Sequence, residues 1–272
     1  MKDIKAALDA GEVLLGPGVF SSNPEVVEMI GHLGFDWVFL DTEQATASHS
    51  GVELEHLIRA AEAADIAPGV RIPEITPHSV NKALNLGARA LWVPHVETAA
   101  EAEALVRFAR YPPRGDRGAA PIVRAARYGV TDFDEYRTAS DRDVELVAIV
   151  ESVRGIDNVE EIAAVDGLDA ICFGTFDLGV SMGLAQADFY GDGTAGWVHP
   201  DLEAAGDRCL AACRATGTHP AIAAWSAESG RRWIEKGYRY LLYGLDVALL
   251  LGALRGLRAE AHDLAAAATD TP

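Results

Sequence analysis

Short apolar runs, rich in β-branched and aromatic residues, alternate with stretches of helical periodicity along almost the whole chain. Runs of this length that are apolar throughout are typical of parallel strands buried on both faces, because such strands present no side to water. The pattern therefore predicts eight strands, at 13–20, 36–41, 68–72, 90–95, 145–151, 169–174, 219–224 and 238–243.

Helices are predicted between these strands, and several of them end in a glycine that suits a helix C-terminus. The clearest amphipathic segments lie at 24–34, 51–64, 79–87, 98–111 and 226–237. Eight strand–helix repeats predict an α/β fold, a single (β/α)8 TIM barrel domain spanning residues 1–272. A doubly wound open sheet is the alternative, but its dinucleotide-binding version needs a GxGxxG motif that does not follow the first strand.

Three segments exceed what a minimal barrel needs. The stretches 111–143 and 178–200 are longer than ordinary connections, and we interpret them as loops that cover a site, contact another subunit or face solvent. The segment 246–268 is predicted to form an extra C-terminal helix with a broad apolar face. We expect that face to lie at a contact between subunits.

Charge and composition exclude several classes of partner. The 272 residues contain 23 Lys and Arg against 41 Asp and Glu, a net charge of −18, which opposes binding to nucleic acid or to an anionic membrane. The three cysteines lack CxxC spacing and do not suggest a disulfide framework or a zinc ribbon. Neither a signal core nor a run of ~18 apolar residues is present, so we expect a cytoplasmic protein.

Polar side chains follow five consecutive predicted strands. Because the C-terminal ends of barrel strands meet at one mouth, where substrates are handled, these side chains should lie close together. Each one also has a purely structural interpretation, as a helix cap or as the partner in an ion pair. In chain order they are Asp41, Glu43 and Gln44, then Arg71, His95, Glu151 and Asp177.

The predicted set suits the binding of a 2-oxo acid. Glu151 and Asp177 offer two hard oxygen ligands for Mg²⁺ or Mn²⁺, and Co²⁺ also fits. Such a metal acts as a Lewis acid on an enolate, and Arg71 adds positive charge and directed donors at the enolate oxygen. Backbone N–H groups of Gly174 and Thr175, at the turn after the sixth strand, are predicted to hold the substrate carboxylate.

Four segments resemble the HpcH/HpaI aldolase family, whose relatives include macrophomate synthase and siderophore-type citrate synthases. These segments are 34–44, 70–118, 147–183 and 237–255. The resemblance implies a (β/α)8 barrel and metal-dependent class II aldol chemistry on pyruvate. It also implies a homo-oligomer, a hexamer built as a trimer of dimers, with C-terminal helices exchanged between neighbours.

The resemblance also implies residue roles. Glu151 and Asp177 match the metal ligands of the family, Arg71 its enolate-stabilising arginine, and Asp41 the acid that accompanies a catalytic histidine. That histidine belongs to a D-x-E-H pattern, in which this chain has Gln44 instead. A glutamine side chain cannot take up a proton near neutral pH and therefore cannot replace a general base.

Gln44 leaves several interpretations open. His95 is a candidate for the missing proton transfer, although it can equally be an ordinary polar loop residue, and His49 lies further along the same loop as Gln44. An oxaloacetate-like substrate would give the enolate by losing CO2, without a base. A condensing transferase and a catalytically silent barrel are further alternatives.

The leading hypothesis is a metal-dependent carbon–carbon lyase, or aldolase, that acts on a small 2-oxo acid through a pyruvate-type enolate. A second departure from the family is Phe176, because a small residue more often precedes the aspartate there, and the bulkier ring should reshape the pocket. Trp197, His199 and Trp225 are candidates for contact with the second substrate, although a tryptophan after a strand is as often a packing residue.

Overall fold

Eight parallel strands close into a barrel in the order β1 to β8, so the predicted TIM barrel is confirmed. The computed structural model of the chain describes residues 1–45, 51–189 and 199–269, the last three by their backbone alone. The strands are β1 Leu14–Val19, β2 Trp37–Asp41, β3 Ala67–Arg71, β4 Ala90–Val93, β5 Glu145–Val150, β6 Ala170–Phe173, β7 His219–Ala224 and β8 Tyr240–Leu245.

Every observed strand overlaps one predicted from its apolar run, because burial on both faces leaves a continuous apolar signal. In β2 all five residues are buried, and in β5 all six. The barrel closes where β1 pairs with β8, with Leu14 opposite Tyr240 and Leu15 opposite Leu241.

Helices surround the barrel. They are α1 Ile4–Asp9, α2 Pro24–His32, α3 Val52–Ala63, α4 Pro77–Leu86, α5 Ala99–Ala109, α6 Phe133–Asp143, α7 Val153–Asp157, α8 Val159–Ala163, α9 Thr175–Ser181, α10 Gln186–Phe189, α11 Pro200–Thr216, α12 Ala227–Lys236 and α13 Asp246–Thr269. The five amphipathic segments predicted from sequence correspond to α2, α3, α4, α5 and α12. Helix α4 ends at Gly87, whose φ of 114° is a conformation that favours glycine.

The two segments interpreted as loops are partly helical, which corrects the prediction. Residues 111–143 contain a 3-10 helix, Arg124–Gly129, and helix α6. Helix α6 buries only Tyr136 and Ser140, so it has no apolar stripe from which periodicity could detect it. Part of 178–200 belongs to α9 and α10, and its residues 190–198 lie outside the described residues.

Two apolar layers form most of the core of the described residues, and a small third cluster contains Tyr111, Ala126 and Tyr136. The larger lies between the strands and the surrounding helices. The smaller fills the barrel interior, where Trp37 and Trp92 stack with ring centroids 5.1 Å apart and both lie against Tyr240. Helix α1 packs Ile4 and Leu8 against this interior layer at its lower end. The opposite end, where the strands finish, is the mouth.

The C-terminal helix α13 exposes a row of apolar side chains, as the sequence predicted for 246–268. A helix that turns leucines to water on a single protomer is typical of a contact surface. Among the helices that the structure describes, none is long and apolar enough to cross a membrane. The exposed side chains are Val247, Leu249, Leu250, Leu251, Leu254, Leu257 and Leu264.

Candidate active site

Glu151 lies directly after β5 and is 5% exposed. Its Oε1 accepts a hydrogen bond of 2.8 Å from the backbone N–H of His95. Burial raises the pKa of Glu151 to about 7, and the nearby charge of Asp177 adds to this, while the His95 N–H acts in the opposite direction. Burial is thus the main reason why this carboxyl group holds its proton more strongly than an exposed glutamate.

Gly174, directly after β6, makes room for Glu151. A Cβ atom at position 174 would lie 2.5 Å from the Cβ of Glu151 and 2.8 Å from its Oε2. The Gly174 N–H donates to the Val150 carbonyl at 3.0 Å, so it is not available to a substrate carboxylate, contrary to the sequence prediction. Thr175 begins α9, so its N–H has no intrahelical acceptor. Asp177 lies in the first turn of that helix, with its side chain exposed.

Arg71, at the end of β3, is held by two carboxylates. Its Nε donates to Asp41 Oδ1 at 2.6 Å, and its Nη1 lies 3.0 Å from Glu43 Oε2. Burial acts to lower the pKa of Arg71, but the bond to Asp41 and the charges of Asp41 and Glu43 outweigh it, so the pKa is raised. The guanidinium also lies 5.8 Å from the ring centroid of Phe20 and 5.6 Å from that of Phe39.

Asp41 organises the turn after β2 as well as Arg71. It is fully buried, and its carboxylate accepts the backbone N–H groups of Glu43 at 3.2 Å and Gln44 at 2.9 Å. The side chain of Gln44 is exposed and does not line the cavity at the mouth. The backbone at position 44, where the family pattern has its histidine, is therefore held by Asp41. The Gln44 side chain, however, places no proton acceptor in the cavity.

His95 lies between two carboxylates at the rim of the mouth. Its Nδ1 is 3.2 Å from Glu151 Oε1, and its Nε2 is 3.5 Å from Glu43 Oε1, while 63% of its side chain is exposed. The backbone of His95 adopts φ of 55°, which is uncommon for a residue other than glycine. This conformation lets one residue contact Glu151 through both its backbone N–H and its ring.

These groups surround a cavity of about 140 Å³. Of the residues predicted from sequence, the structure brings six to its wall and leaves Asp41 behind Arg71, His95 at the rim and Gln44 outside. The wall comprises Phe20, Phe39, Arg71, Trp92, Ile149, Glu151, Cys172, Phe173, Gly174, Thr175, Phe176, Asp177, Ala223, Trp225, Leu242 and Leu245.

Other residues acquire different roles. Glu43 was recognised as a strand-end carboxylate but not as a contact of both Arg71 and His95, which only the turn geometry reveals. His199 caps α11, with its Nδ1 accepting from Asp201 N at 3.3 Å, which gives it a structural role. Trp197 and His49 lie outside the described residues.

A divalent metal fits the donor set at the mouth. Among the residues with assigned positions, no group of three or more His, Cys, Asp or Glu side chains could enclose a metal. Two carboxylates, those of Glu151 and Asp177, line the cavity instead. Mg²⁺ is commonly bound by one or two protein carboxylates, and substrate and water complete its coordination shell. Asp177 lies close enough to Glu151 to help raise its pKa, and a cation between the two carboxyl groups would offset this repulsion.

Comparison with known proteins agrees with this geometry. A family model described as HpcH/HpaI aldolase/citrate lyase matches residues 18–253. The chain is 33% identical over 259 residues to a hydroxypyruvate/pyruvate aldolase of Pseudomonas aeruginosa, covering 93% of this chain and 90% of that protein. It is 32% identical over 268 residues to a 4-hydroxy-2-oxovalerate aldolase of Novosphingobium aromaticivorans, covering 98% and 97%.

Among solved structures, a HpcH/HpaI aldolase/citrate lyase family protein from Burkholderia cenocepacia J2315 superposes with a TM-score of 0.86 and 34% identity. The match covers 96% of this chain and all of that one. The similarity therefore extends over the barrel and its mouth as one unit.

Proposed function

The chain belongs to the HpcH/HpaI aldolase/citrate lyase family, and from this premise we propose that it is a class II aldolase that makes or breaks a carbon–carbon bond next to a pyruvate-type enolate. The observation that carries the proposal is the convergence of Glu151, Asp177 and Arg71 on one cavity. Two carboxylates and a guanidinium are the groups needed to bind a 2-oxo acid and stabilise its enolate.

We assign Glu151 and Asp177 as the ligands of a divalent metal, Mg²⁺ or Mn²⁺ with Co²⁺ as a further candidate. When bound, this metal supplies Lewis-acid stabilisation of the enolate oxygen. Glu151 is buried directly after β5, and Gly174, which has no Cβ, leaves room for its side chain at the cavity wall. Asp177, on the first turn of α9, supplies the exposed carboxylate of the pair.

Arg71 donates to the enolate oxygen in this proposal. Its Nε and Nη1 are held by Asp41 and Glu43, whereas no side chain or carbonyl among the described residues bonds to Nη2. Fixing two nitrogens of the planar group sets the direction of the third, which is the preorganisation that electrostatic catalysis requires. The backbone N–H of Thr175 serves the substrate carboxylate, and Trp225 lines the side of the cavity nearest β7.

Proton transfer is assigned to His95, because Gln44 cannot accept a proton and its side chain lies outside the cavity. Glu151 and Glu43 hold the imidazole at the rim through its two ring nitrogens. Decarboxylation of oxaloacetate provides a control for the role of His95, because loss of CO2 yields the same enolate without removal of a carbon-bound proton.

We further propose that residues 1–272 act as one barrel domain within a homo-oligomer, a trimer of dimers, in which the segment 246–268 of α13 covers a neighbouring protomer. The exposed leucines of that helix support this assignment. Light scattering of the native protein checks the number of protomers.

The function is tested by following hydrogen–deuterium exchange at C3 of pyruvate, and pyruvate release from oxaloacetate, with and without Mg²⁺ or Mn²⁺. The wild type should perform both in a metal-dependent manner, and Asp177→Asn should lose both. His95→Asn, whose amide side chain tolerates a positive φ, should lose exchange and keep decarboxylation. Metal-independent turnover, or full activity in Asp177→Asn, would disprove the assignment.

A further inference from the structure

The mouth of the barrel is divided into two arcs of opposite character. Strands β2 to β6 and the turns that follow them carry all the charged groups of the site described above. The next three strands in the closed order, β7, β8 and β1, contribute to the cavity wall side chains whose one polar atom, among the described residues, is the indole nitrogen of Trp225. These side chains are Phe20, Ala223, Trp225, Leu242 and Leu245.

Three side chains of this apolar arc also pack against the core, Phe20 and Leu242 against the interior layer and Trp225 against the larger one. Phe20, Trp225, Leu242 and Leu245 nevertheless line the cavity and are only partly buried, in contrast to the fully buried Leu241, which precedes Leu242 on β8. Partly exposed apolar side chains that are continuous with a reactive cavity gain free energy when a ligand covers them.

The arc is also held in place. The carboxylate of Asp246, at the start of α13, accepts the backbone N–H groups of Phe20 at 2.8 Å and Ser21 at 3.1 Å, and it also accepts the Ser21 hydroxyl. These bonds fix the turn after β1 and therefore the position of the Phe20 ring. Across the cavity, the Phe176 ring packs on Phe189 with centroids 5.7 Å apart and extends the apolar surface.

We propose that the second substrate of this enzyme is an uncharged aldehyde with an apolar substituent, which lies against the arc formed by β7, β8 and β1. The proposal rests on the aldolase function above and adds the class of acceptor. In the reaction, C3 of pyruvate loses one proton to the enzyme and solvent and forms one bond to the aldehyde carbon. The aldehyde oxygen takes up one proton, so the product is a 4-hydroxy-2-oxo acid and no other reactant is needed.

The competing acceptor classes fit this arc poorly. A polyhydroxylated aldehyde would lose hydrogen bonds to water and find few partners among these side chains. A carboxylated aldehyde would in addition need a cation as partner, and the one cationic side chain on the cavity wall among the described residues is Arg71, which is assigned to the enolate. One methyl-sized difference in an apolar pocket typically changes kcat/KM by about 10-fold or more.

The test uses the metal-loaded enzyme, pyruvate and three acceptors of four carbons: butanal, erythrose and succinic semialdehyde. We expect kcat/KM for butanal to exceed both others by about 10-fold or more. In Leu245→Ser, and separately in Leu242→Ser, the ratio of butanal to erythrose should fall to about one. Met29→Ser, at an exposed apolar residue of α2, is the matched control and should keep the wild-type ratio.

Because the ratio is measured within one variant, partial loss of folded protein does not affect it. Deuterium exchange into pyruvate with a preference for erythrose or succinic semialdehyde would overturn this inference alone. Exchange without product from any of the three aldehydes would overturn both the inference and the aldol step of the proposed function. A ratio unaltered in both serine variants would also overturn it. Absence of metal-dependent exchange would overturn the aldolase function and the inference with it.

Discussion

Strand β5 carries a buried glutamate at each end, Glu145 as its first residue and Glu151 one residue past its last, and only Glu151 lies in the proposed active site. Both are at most 5% exposed. Burial raises the pKa of both carboxyl groups, to about 7 for Glu151 and well above the usual value for Glu145. Burial and a raised pKa therefore do not by themselves identify a catalytic carboxylate.

The surroundings of the two glutamates explain the difference. At the lower end, the cations Lys5 and Arg110 pair with Asp169 rather than with Glu145. Neither oxygen of Glu145 has a hydrogen-bond partner among the described residues, and helix α1 packs below the interior layer. At the upper end, Glu151 faces a cavity that Arg71 and Asp177 share. Access and converging charges distinguish the functional end of the strand.

The strongest test of this comparison removes the charge at the mouth. Glu151→Gln keeps the shape of the side chain but removes one of the two proposed metal ligands. Because loss of the metal also removes its stabilisation of the enolate charge, we expect metal-dependent kcat/KM to fall by at least ~1,000-fold. Steady-state kinetics with oxaloacetate provides the measurement. Because Glu145→Gln changes the same residue type on the same strand, it serves as the control and should keep activity within about 3-fold. Similar losses in both variants would show that the two ends are equivalent.

Arg71→Lys tests whether the guanidinium beside Glu151, which has no counterpart beside Glu145, acts through its directed hydrogen bonds. Lysine retains the charge but cannot bond to Asp41 and Glu43 through two nitrogens while presenting a third to substrate. We expect kcat to fall about 100-fold, which corresponds to roughly 3 kcal/mol for one oxyanion donor, with a smaller change in metal affinity. Calorimetric titration with Mn²⁺ beside the kinetics separates the two effects. A variant that binds metal normally and reacts at the wild-type rate would contradict the role of Arg71.

Gly174→Ala tests how closely the wall fits Glu151. The new Cβ would lie within 3 Å of the Glu151 side chain, so the carboxylate must shift and metal affinity should fall about 10- to 100-fold. Gly230→Ala is the matched control, because a Cβ at position 230 of α12 would approach no atom closer than 3.6 Å. Equal Mn²⁺ affinities in the two variants would show that the contact does not constrain Glu151.

The sequence predicted the barrel well, because parallel strands buried on both faces give continuous apolar runs that locate each strand to within about two residues. The strand ends then placed Arg71, Glu151 and Asp177 at one mouth, since the fold dictates where strands finish. Helix α6 was not predicted because its sequence is polar, and the roles of Glu43 and Phe20 depend on turns whose dihedral angles no periodicity encodes. Sequence also could not show that the Gly174 N–H is already bonded to Val150.

The smallest expected effect is on stability at the lower end of β5. In the folded protein Glu145 keeps its proton to a pH well above 4.5, whereas the unfolded chain releases it near that value. Between the unfolded and the folded pKa of Glu145, the folded protein binds one proton more than the unfolded chain. The free energy of unfolding therefore falls as pH rises, by up to ~1.4 kcal/mol per pH unit for one group. The contribution is complete below pH 4.5 and is lost as pH rises through the folded pKa.

Glu145→Gln removes this dependence while keeping a neutral side chain of the same size. Its free energy of unfolding relative to wild type should therefore increase from pH 5 to pH 8, by at most ~1.4 kcal/mol per pH unit, measured by urea denaturation at fixed protein concentration without metal. Glu151, whose pKa is also raised, is present in both proteins and cancels in the difference. Parallel pH curves would mean that Glu145 is ionised in the folded protein, and its two unpartnered oxygens would then need a cation or water inside the barrel floor.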